Sequence, residues 1–572
     1  MKRTTQVNNR ETINARILCE VNRYVHVIVA GLAILFMVSC VNTTTNRKAE
    51  SVVDKEVDQF KLISFSKGNL RDSTVNAPVF TNRFVLNKDE FMSLHFELEQ
   101  PLIESLHALA PDLSEEALLN QGNFQFSILV DDKIAYVENL NKGAGLVASK
   151  TTQLEHTVPL ITQQPIDFWG WFMWLKFMKI AGGRDLFTEG SHSLRIDVRA
   201  YLQNDGLKVS PLLATGSLDL EVAALLVEQT DITIQEIKAG SGWKLSNDTY
   251  NISKMEALNT KIAQKRFEKV NGIVVVKNGK LLIEEYFNGA GRDSLHDPKS
   301  VGKTIASAMM GMAIDDGYIR NEDLQLKDFY DIKSFANYSI EKEAVSIRSL
   351  LTMTSGFEGD DNDFDSPGNE ENMYPTDDWV QFVLDLPIDT EKEMGADYTY
   401  FTGGAMLLGD IIHQSVPGGL VAYSDAKLFS PLGITNYRWE FTPQGVGNTA
   451  GGIRLRALDF AKFGQLYKNK GSWNGKRLLK ESWVDKSLSK QVEQPNRDRG
   501  YYGYLFWNKV YTAAGKDYEV SFCTGNGGNK IIIFKDIPFV VVITASGYNL
   551  PYMHSDVDMI MTEYILPAVL NQ

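Results

Sequence analysis

The stretch that most constrains the fold is a run rich in small and apolar residues at positions 301–314. Pro298 and Ser300 stand where a helix is expected to begin, and Gly317 stands where it is expected to end. A helix with alanine, methionine, isoleucine and glycine on nearly every side belongs in a protein interior. The sequence therefore predicts a buried helix that opens at Ser300.

Ser300 and Lys303 are three positions apart, so on a helix their side chains share a face and can touch. Burial disfavours the charged form of a lysine, and a neutral amine beside a serine hydroxyl can accept its proton. The pair therefore predicts a nucleophilic Ser300 that Lys303 activates. The alternative is an N-cap serine followed by a lysine whose ammonium group reaches solvent.

The Ser-x-x-Lys spacing alone is weak evidence for catalysis, because it recurs along the chain. The other pairs with this spacing are Ser64/Lys67, Ser241/Lys244, Ser339/Lys342, Ser424/Lys427 and Ser487/Lys490. Only Ser300 opens a long apolar helix. Burying an unpaired lysine in such a helix costs folding free energy, so its presence there indicates a function. The context rather than the spacing singles out Ser300.

Composition limits the number of domains and the classes of partner. A chain of 572 residues with 44% apolar content is expected to form two or three globular domains. Its net charge of −14 argues against a nucleic-acid partner. Cysteines occur at positions 19, 40 and 523, and the histidines are scattered, so we expect no disulfide framework, no metal and no other cofactor. Nothing in the sequence indicates an oligomeric state.

Residues 1–40 resemble a bacterial lipoprotein signal. Arginines precede the apolar run 24–38, and Ser39 stands directly before Cys40. The run is short for a membrane span, and a polar stretch follows it. We expect Cys40 to be lipidated and to anchor the protein in the bacterial cell envelope, facing the periplasm or the exterior. The alternative is a signal anchor with an incidental cysteine, which also places the body of the protein outside the cytoplasm.

The next two segments are predicted to be a tether, residues 41–67, and a β-sandwich-like accessory domain, residues 68–228. Residues 123–130, 192–201 and 217–222 alternate between apolar and polar side chains, as strands do. No catalytic residue is visible in this region.

An aromatic patch at residues 168–174 lies within the accessory domain. It could contact membrane or glycan, but we favour a core or domain-interface segment because apolar residues usually bury.

Residues 229–572 are predicted to form the second domain, of the α+β class. Asn251 can cap a helix over 252–267, and Asn278-Gly279 is a typical turn for a hairpin over 272–287. Later strands are predicted at 503–507, 518–522, 530–534 and 539–544, before a terminal helix at 556–570. Strands at both ends with helices between them predict one antiparallel sheet, closed by both termini, flanked by helices and carrying a helical subdomain.

The motifs of this second domain resemble the serine hydrolase family related to class C β-lactamases. That family includes 6-aminohexanoate-dimer hydrolase, esterases and D-amino-acid peptidases. The matching motifs lie at 295–303, 349–356, 429–434, 449–453 and 459–464. The resemblance covers residues 250–572 and implies a β-lactamase/transpeptidase-like fold with an acyl-enzyme on Ser300. It does not cover residues 41–228.

The family's second motif, Tyr-x-Asn, corresponds to Tyr400-Phe401-Thr402. The resemblance implies that Tyr400 activates the serine together with Lys303. Thr402 offers a hydroxyl to the substrate where the family has an amide, so an amide donor is lost. Seen without the resemblance, Tyr400 would be interpreted as a buried core tyrosine.

The family's third motif, Lys-Thr-Gly or His-x-Gly, corresponds to residues 523–525 and is followed by Asn-Gly-Gly. Successive glycines let backbone N–H groups approach a developing oxyanion. We expect the N–H of Ser300 and one from Asn526 or its neighbours to form this hole, with the register left open. The predicted substrate and oxyanion residues here are Thr524, Gly525, Asn526, Gly527 and Gly528.

These observations predict an envelope-anchored serine hydrolase that acts on an ester or amide bond of a small-molecule or peptide-like substrate. A Ser-His-Asp hydrolase is disfavoured, because this half has no Gly-x-Ser-x-Gly motif and its histidines are only His296, His413 and His554. The non-enzymatic alternative is a catalytically decayed penicillin-binding-like sensor or envelope-binding lipoprotein. Thr402 and Cys523 keep this alternative open, because both depart from the family motifs.

Overall fold

The computed structural model describes residues 61–68, 78–162, 169–494 and 500–570. The chain divides into two compact units, here called the N-terminal unit (Thr44–Leu226) and the C-terminal unit (Val227–Gln572). The predicted lipoprotein signal with Cys40 lies outside the described residues, as does the tether up to residue 60. Within the described residues, no helix combines the length and the hydropathy needed to cross a membrane.

The N-terminal unit is rich in strands. Its described strands are β1 (Lys61–Leu62), β2 (Ser64–Lys67), β3 (Val79–Thr81), β4 (Arg83–Leu86), β5 (Met92–Glu97), β6 (Gly122–Val130), β7 (Lys133–Asn139), β8 (Glu155–Ile161), β9 (Gly190–Gln203), β10 (Leu207–Val209) and β11 (Ala214–Val222). Its described helices are α1 (Leu102–Leu109), α2 (Glu115–Gln121), α3 (Val147–Thr151), α4 (Trp169–Lys179) and α5 (Gly183–Leu186).

Two sheets enclose the core of this unit. One has seven strands, in the order β1-β11-β9-β6-β7, with β10 added to β9 and β4 added to β11. The other has the order β3-β2-β5-β8. Phe96 of β5 packs edge-on against Phe124 of β6, with ring centroids 5.8 Å apart, so the two sheets share one hydrophobic core. This arrangement agrees with the predicted sheet-rich region.

Two details of the N-terminal unit bear on the predictions. Residues 61–67, expected in the tether, form β1 and β2 instead, because Ile63 and Phe65 are buried in the core. The described part of the aromatic patch lies in the first half of α4, where Met173 and Trp174 are buried in the same core. Burial of these two side chains supports the core interpretation of the patch.

The C-terminal unit contains the remaining strands and helices. Its strands are β12 (Val270–Lys277), β13 (Lys280–Tyr286), β14 (Tyr437–Trp439), β15 (Ile453–Leu455), β16 (Ser472–Trp473), β17 (Lys476–Arg477), β18 (Val492–Glu493), β19 (Tyr501–Tyr502), β20 (Trp507–Ala513), β21 (Lys516–Gly525), β22 (Asn529–Phe534) and β23 (Phe539–Ala545). Its helices are α6 (Gln229–Ile232), α7 (Ile252–Ala263), α8 (Lys303–Asp315), α9 (Ile340–Ala344), α10 (Ile347–Leu351), α11 (Glu370–Met373), α12 (Trp379–Asp385), α13 (Thr402–Ser415), α14 (Gly419–Ser424), α15 (Ser430–Leu432), α16 (Ala457–Lys468), α17 (Glu481–Leu488), α18 (Met553–Met559) and α19 (Leu566–Val569).

An eight-stranded antiparallel sheet organises this unit, in the order β13-β12-β23-β22-β21-β20-β19-β18. The first hairpin, β12–β13, pairs with the last strand, β23, so the two ends of the unit meet in the sheet as predicted. One hydrophobic core joins the sheet to α8, α13 and α16, and a second joins it to α7, α18 and α19. This is the β-lactamase/transpeptidase-like α+β fold that the sequence predicts.

Most predicted elements of this unit are present, and one is displaced. Asn251 caps α7 by accepting the N–H of Lys254 at 3.3 Å, and Asn278 and Gly279 have the positive φ angles of a hairpin turn. The strand predicted over 503–507 is interrupted, because Leu505 has φ 63°, which ends an extended strand. Pairing resumes at β20.

The predicted buried helix forms, but Ser300 lies one turn before it. A 3₁₀ turn over Lys299–Gly302 carries Ser300 and leads into α8, where residues 303–313 are buried. Gly302 packs on Gly451 so closely that a Cβ would lie 2.9 Å from the Gly451 Cα. This close contact fixes the turn that presents Ser300.

Candidate active site

The 3₁₀ turn and the start of α8 bring Ser300 and Lys303 together. Lys303 Nζ donates a hydrogen bond to Ser300 Oγ at 2.8 Å and another to the carbonyl oxygen of Ala450 at 2.9 Å. Lys303 is only 2% exposed, so these partners matter for its charge. Gly451 follows Ala450, and a Cβ there would lie 2.6 Å from the carbonyl carbon of Lys299, so a residue without a side chain is required.

Tyr400 completes a triangle with these two residues. Ser300 and Lys303 both act on the pKa of its hydroxyl, and Tyr400 acts on the pKa of Lys303. Lys303 Nζ also lies 5.2 Å from the centre of the Tyr400 ring, and the ring packs against Trp507 with centroids 5.7 Å apart. The three side chains predicted to be catalytic therefore lie together around Lys303, although they come from two separate parts of the chain.

The protonation of this triangle follows from its surroundings. Burial lowers the pKa of Lys303, but the interactions with Tyr400, Glu370 and Asp361 outweigh burial and raise this pKa above its ordinary value. Burial raises the pKa of Tyr400, and the opposing effects of Lys303 and Ser300 do not cancel this rise. At neutral pH the resting site therefore holds an ammonium group and a phenol.

The third predicted motif lies beside the nucleophile at the end of β21. A Cβ on Gly525 would lie 1.9 Å from the carbonyl oxygen of Pro298 and 3.0 Å from the nitrogen of Ser300, so only glycine fits. The side chain of Asn526 is tied to Asn549: Asn526 Nδ2 donates to Asn549 Oδ1 at 2.6 Å and Oδ1 accepts the Asn549 N–H at 2.8 Å. The backbone of Gly525 thus passes next to Ser300.

The two glycines that follow Asn526 shape the turn into β22. Gly527 and Gly528 have φ angles of 90° and 94°, which other residues rarely adopt. The Gly528 N–H donates to the Gly525 carbonyl at 3.3 Å, and the Gly527 carbonyl accepts from Gly547 at 3.2 Å. These contacts hold the turn in place, and the assignment of the oxyanion donors to Ser300 and Asn526 stays a prediction.

Comparison with known families and structures identifies this half of the chain. A family model described as beta-lactamase matches residues 261–558, which is more than half of the chain. The protein belongs to the beta-lactamase family. The match supports a serine hydrolase of this family that acts on ester or amide bonds, and it includes no part of the N-terminal unit. A search of curated proteins found no match.

Several solved structures are similar to the chain at low identity. A protein described as a 6-aminohexanoate-dimer hydrolase from Bacillus anthracis is 20% identical, with a TM-score of 0.43 over 52% of this chain and 81% of that one. An octameric penicillin-binding protein homologue from Pyrococcus abyssi is 15% identical, with a TM-score of 0.40 over 54% and 77%. A family VIII carboxylesterase is 13% identical, with a TM-score of 0.42 over 56% and 98%. Similarity at this level does not identify a substrate.

Two positions depart from the beta-lactamase-family motifs. Thr402 is the first residue of α13 and is completely buried, and its Oγ1 has no hydrogen-bond partner in the described part of the chain. The start of the helix turns this side chain into the core, and the role of Thr402 toward the substrate stays a prediction. Cys523 is also buried, and burial raises the pKa of its thiol to about 12, so this position supplies no charge.

Thr524 projects from the other face of β21. Its Oγ1 lies 3.4 Å from His554 Nδ1 on α18, in a solvent-exposed contact. The structure thus places Thr524 on the motif strand but gives it a histidine neighbour that the sequence did not associate with the site.

Sequence reasoning missed two carboxylates of this beta-lactamase-family site. Asp361 Oδ2 accepts the N–H of Thr402 at 2.7 Å, and Asp361 Oδ1 accepts the N–H of Glu370 at 3.0 Å. Both charges act on Lys303. The only indication of these carboxylates in the sequence is the acidic segment 358–371, and such a segment is typical of a solvated loop. In the described part of the chain, no group of three or more His, Cys, Asp or Glu side chains could hold a metal ion.

Proposed function

We propose that this beta-lactamase-family protein hydrolyses an ester or amide bond of a small-molecule or peptide-like substrate through an acyl-enzyme on Ser300. One observation carries the proposal. Lys303 Nζ lies 2.8 Å from Ser300 Oγ and 5.2 Å from the centre of the Tyr400 ring, and both residues act on the Tyr400 hydroxyl. A nucleophile in contact with a candidate base, which a third group orients, is the arrangement that covalent catalysis requires.

In the proposed acylation, Ser300 Oγ attacks the substrate carbonyl carbon while its proton passes to the phenolate form of Tyr400. The Lys303 ammonium group stabilises that phenolate. As the bond to the leaving group breaks, Tyr400 returns the proton to the leaving alcohol or amine. Water then hydrolyses the ester to Ser300 and releases the acid. The N–H groups of Ser300 and Asn526 are the proposed donors to the carbonyl oxygen.

A neutral Lys303 acting as the base is the competing mechanism. It needs the same contacts, but the raised pKa of Lys303 argues against it, because the amine is mostly protonated at neutral pH. The raised pKa of Tyr400 makes its phenolate a minor species too. The proposal therefore predicts activity that increases with pH.

Labelling with a fluorophosphonate tests the proposal. Intact-mass spectrometry should show one adduct, and peptide mapping should place it on Ser300. Ser300→Ala should lose the adduct, and Ser307→Ala, in the same helical segment, should keep it. An adduct on another serine, or no adduct on a folded protein, would refute the assignment.

The envelope location is part of the same proposal and rests on the sequence before Cys40. A lipid on this cysteine would hold the catalytic unit at a membrane surface, since each buried methylene contributes about 0.8 kcal/mol to membrane binding.

The second candidate function is a decayed sensor or envelope-binding lipoprotein of the penicillin-binding type. Two observations favour it: the buried Thr402 replaces the family's asparagine, and the neutral Cys523 replaces its lysine. A binding module has no activated serine, so the same labelling experiment separates the two functions.

A further inference from the structure

Asp361 is tied to the backbone on both sides of Phe401, the residue that follows Tyr400. Its own N–H donates to the Tyr400 carbonyl oxygen at 2.9 Å, and its Oδ2 accepts the Thr402 N–H at 2.7 Å. Phe401, the N-cap residue of α13, makes no capping side-chain contact. Asp361 therefore takes the place of the cap from a distant part of the chain, and it fixes the segment that carries the catalytic hydroxyl.

Glu370 is held next to Asp361. The N–H of Glu370 donates to Asp361 Oδ1 at 3.0 Å, and Glu370 Oε2 accepts the Tyr374 hydroxyl at 2.8 Å. The first residue of α11 is thus bonded to Asp361, and the residue after its last turn, Tyr374, is bonded to Glu370. The two residues belong to one loop, and their mutual contacts keep two like charges close together.

The surroundings show why two acidic groups are tolerated there. The groups that interact with the pair are Lys303 from α8, Tyr400 before α13 and Tyr374 directly after α11, and Glu371 of α11 acts on Tyr374. Burial raises the pKa of Asp361, the charge of Glu370 raises it further, and Lys303 lowers it. Lys303 is the cation among these groups, so the carboxylates favour the charged form of Lys303 and Lys303 favours the charged form of Asp361.

We propose that Asp361 and Glu370 are positioning residues that orient Tyr400 and hold the proton on Lys303. This inference rests on the proposed function, in which the Lys303 ammonium group stabilises the Tyr400 phenolate. The pair touches neither the substrate nor Ser300 in this proposal. It acts by setting the geometry and the charge of the two groups that activate the serine.

The charge effect has a definite sign. The carboxylates favour the protonated forms of both Lys303 and Tyr400. Neutralising one carboxylate therefore lowers the pKa of both groups. A nearby opposite charge shifts a pKa by about 1–3 units, so a shift of about one unit is expected from one carboxylate.

Three full-length variants test the proposal. Asp361→Asn removes the charge and keeps one oxygen acceptor for the backbone. Glu370→Gln removes the charge and keeps an acceptor for Tyr374. The matched control is Asp363→Asn, which neutralises an exposed carboxylate of the same loop whose Oδ1 accepts only a local N–H, from Asp365 at 3.0 Å.

The first measurement follows the titration of Lys303 by NMR of protein labelled at the lysine Cε carbons, with the signal assigned by its loss in Lys303→Arg. The second follows the fluorophosphonate labelling rate of Ser300 against pH. Asp361→Asn and Glu370→Gln should move the Lys303 titration and the rising limb of the labelling profile down by about one pH unit. Asp363→Asn should move neither.

The outcomes separate the two proposals. An unchanged Lys303 titration in both test variants would overturn the inference. So would a labelling rate that falls equally at every pH while the rising limb of the labelling profile stays at the same pH, because that result indicates a purely structural role. If Asp361→Asn does not fold, Glu370→Gln decides. A wild-type protein without a Ser300 adduct would contradict the proposed function, while the Lys303 titration would still decide the role of the carboxylates.

Discussion

Tyr400→Phe isolates the role of one hydroxyl group in the proposed mechanism. The substitution removes the hydroxyl group that interacts with Ser300 and Lys303 and leaves the ring packed on Trp507. Lys303 keeps its contacts with Ser300 Oγ and the Ala450 carbonyl oxygen. The change therefore removes the proposed base without removing the ammonium group or the nucleophile.

The expected loss of rate is large compared with the expected loss of stability. General-base catalysis contributes roughly 10²–10⁴-fold, equivalent to about 2.7–5.4 kcal/mol in activation free energy. A hydrogen bond lost with the hydroxyl group contributes about 1 kcal/mol to the free energy of unfolding, so the thermal midpoint should fall by only a few degrees. The variant should remain folded at 25 °C while acylating slowly.

The assay is the time course of fluorophosphonate labelling, followed by intact mass at several reagent concentrations. Tyr398→Phe is the matched control, because its ring also packs against Trp507, at 6.1 Å, and only a hydroxyl is removed. The control should be labelled near the wild-type rate. Labelling of Tyr400→Phe on Ser300 at nearly the wild-type rate would refute the general-base role of Tyr400.

Four further predictions follow from the same site. Because the pKa of Tyr400 lies above its ordinary value of about 10, the labelling rate should rise about tenfold per pH unit between about pH 7 and 9 in buffered time courses; a flat profile would contradict this. Gly525→Ala should lower the free energy of unfolding by about 1–3 kcal/mol in denaturant titrations and should also slow the labelling of Ser300, because its Cβ would lie 1.9 Å from a carbonyl oxygen. Gly291→Ala is the control, because a Cβ there would face open space, and it should change neither quantity. Nitrocefin should be hydrolysed roughly ten- to a hundredfold more slowly than a p-nitrophenyl ester, because the neutral Cys523 cannot pair with the β-lactam carboxylate; comparable turnover would show this reasoning to be wrong. Cys40→Ser should shift the protein from the detergent phase to the aqueous phase in the native host, and unchanged partitioning would rule out lipidation at Cys40.

Local patterns in the sequence were sufficient for the main elements of the C-terminal unit. The apolar run after Ser300 requires a buried helix, Asn278-Gly279 requires a hairpin turn, and the apolar strands near the end of the chain require a covered sheet. These features depend on neighbours within about ten residues, which a sequence displays directly. The same holds for the family motifs, which identify the fold without any structural information.

Tertiary structure decided which Ser-x-x-Lys pair forms a candidate site. Lys342 has the same spacing from Ser339, yet its Nζ donates to the carbonyl oxygens of Ala336 and Leu384, while Ser339 caps a helix. A local spacing cannot distinguish these outcomes, because the partners of a buried ammonium group come from other parts of the chain.

The buried Thr402 and the carboxylates of Asp361 and Glu370 were likewise beyond sequence reasoning. Whether a side chain at the start of a helix faces the cleft or the core depends on how that helix packs. Whether an acidic loop is solvated or lies beside Lys303 depends on contacts across 58 or more positions, as the numbering of Asp361 and Lys303 shows. The sequence by itself therefore determined the main elements and singled out the candidate reacting groups, whereas the burial of these groups, and with it their charge, was decided only by the packing of distant segments.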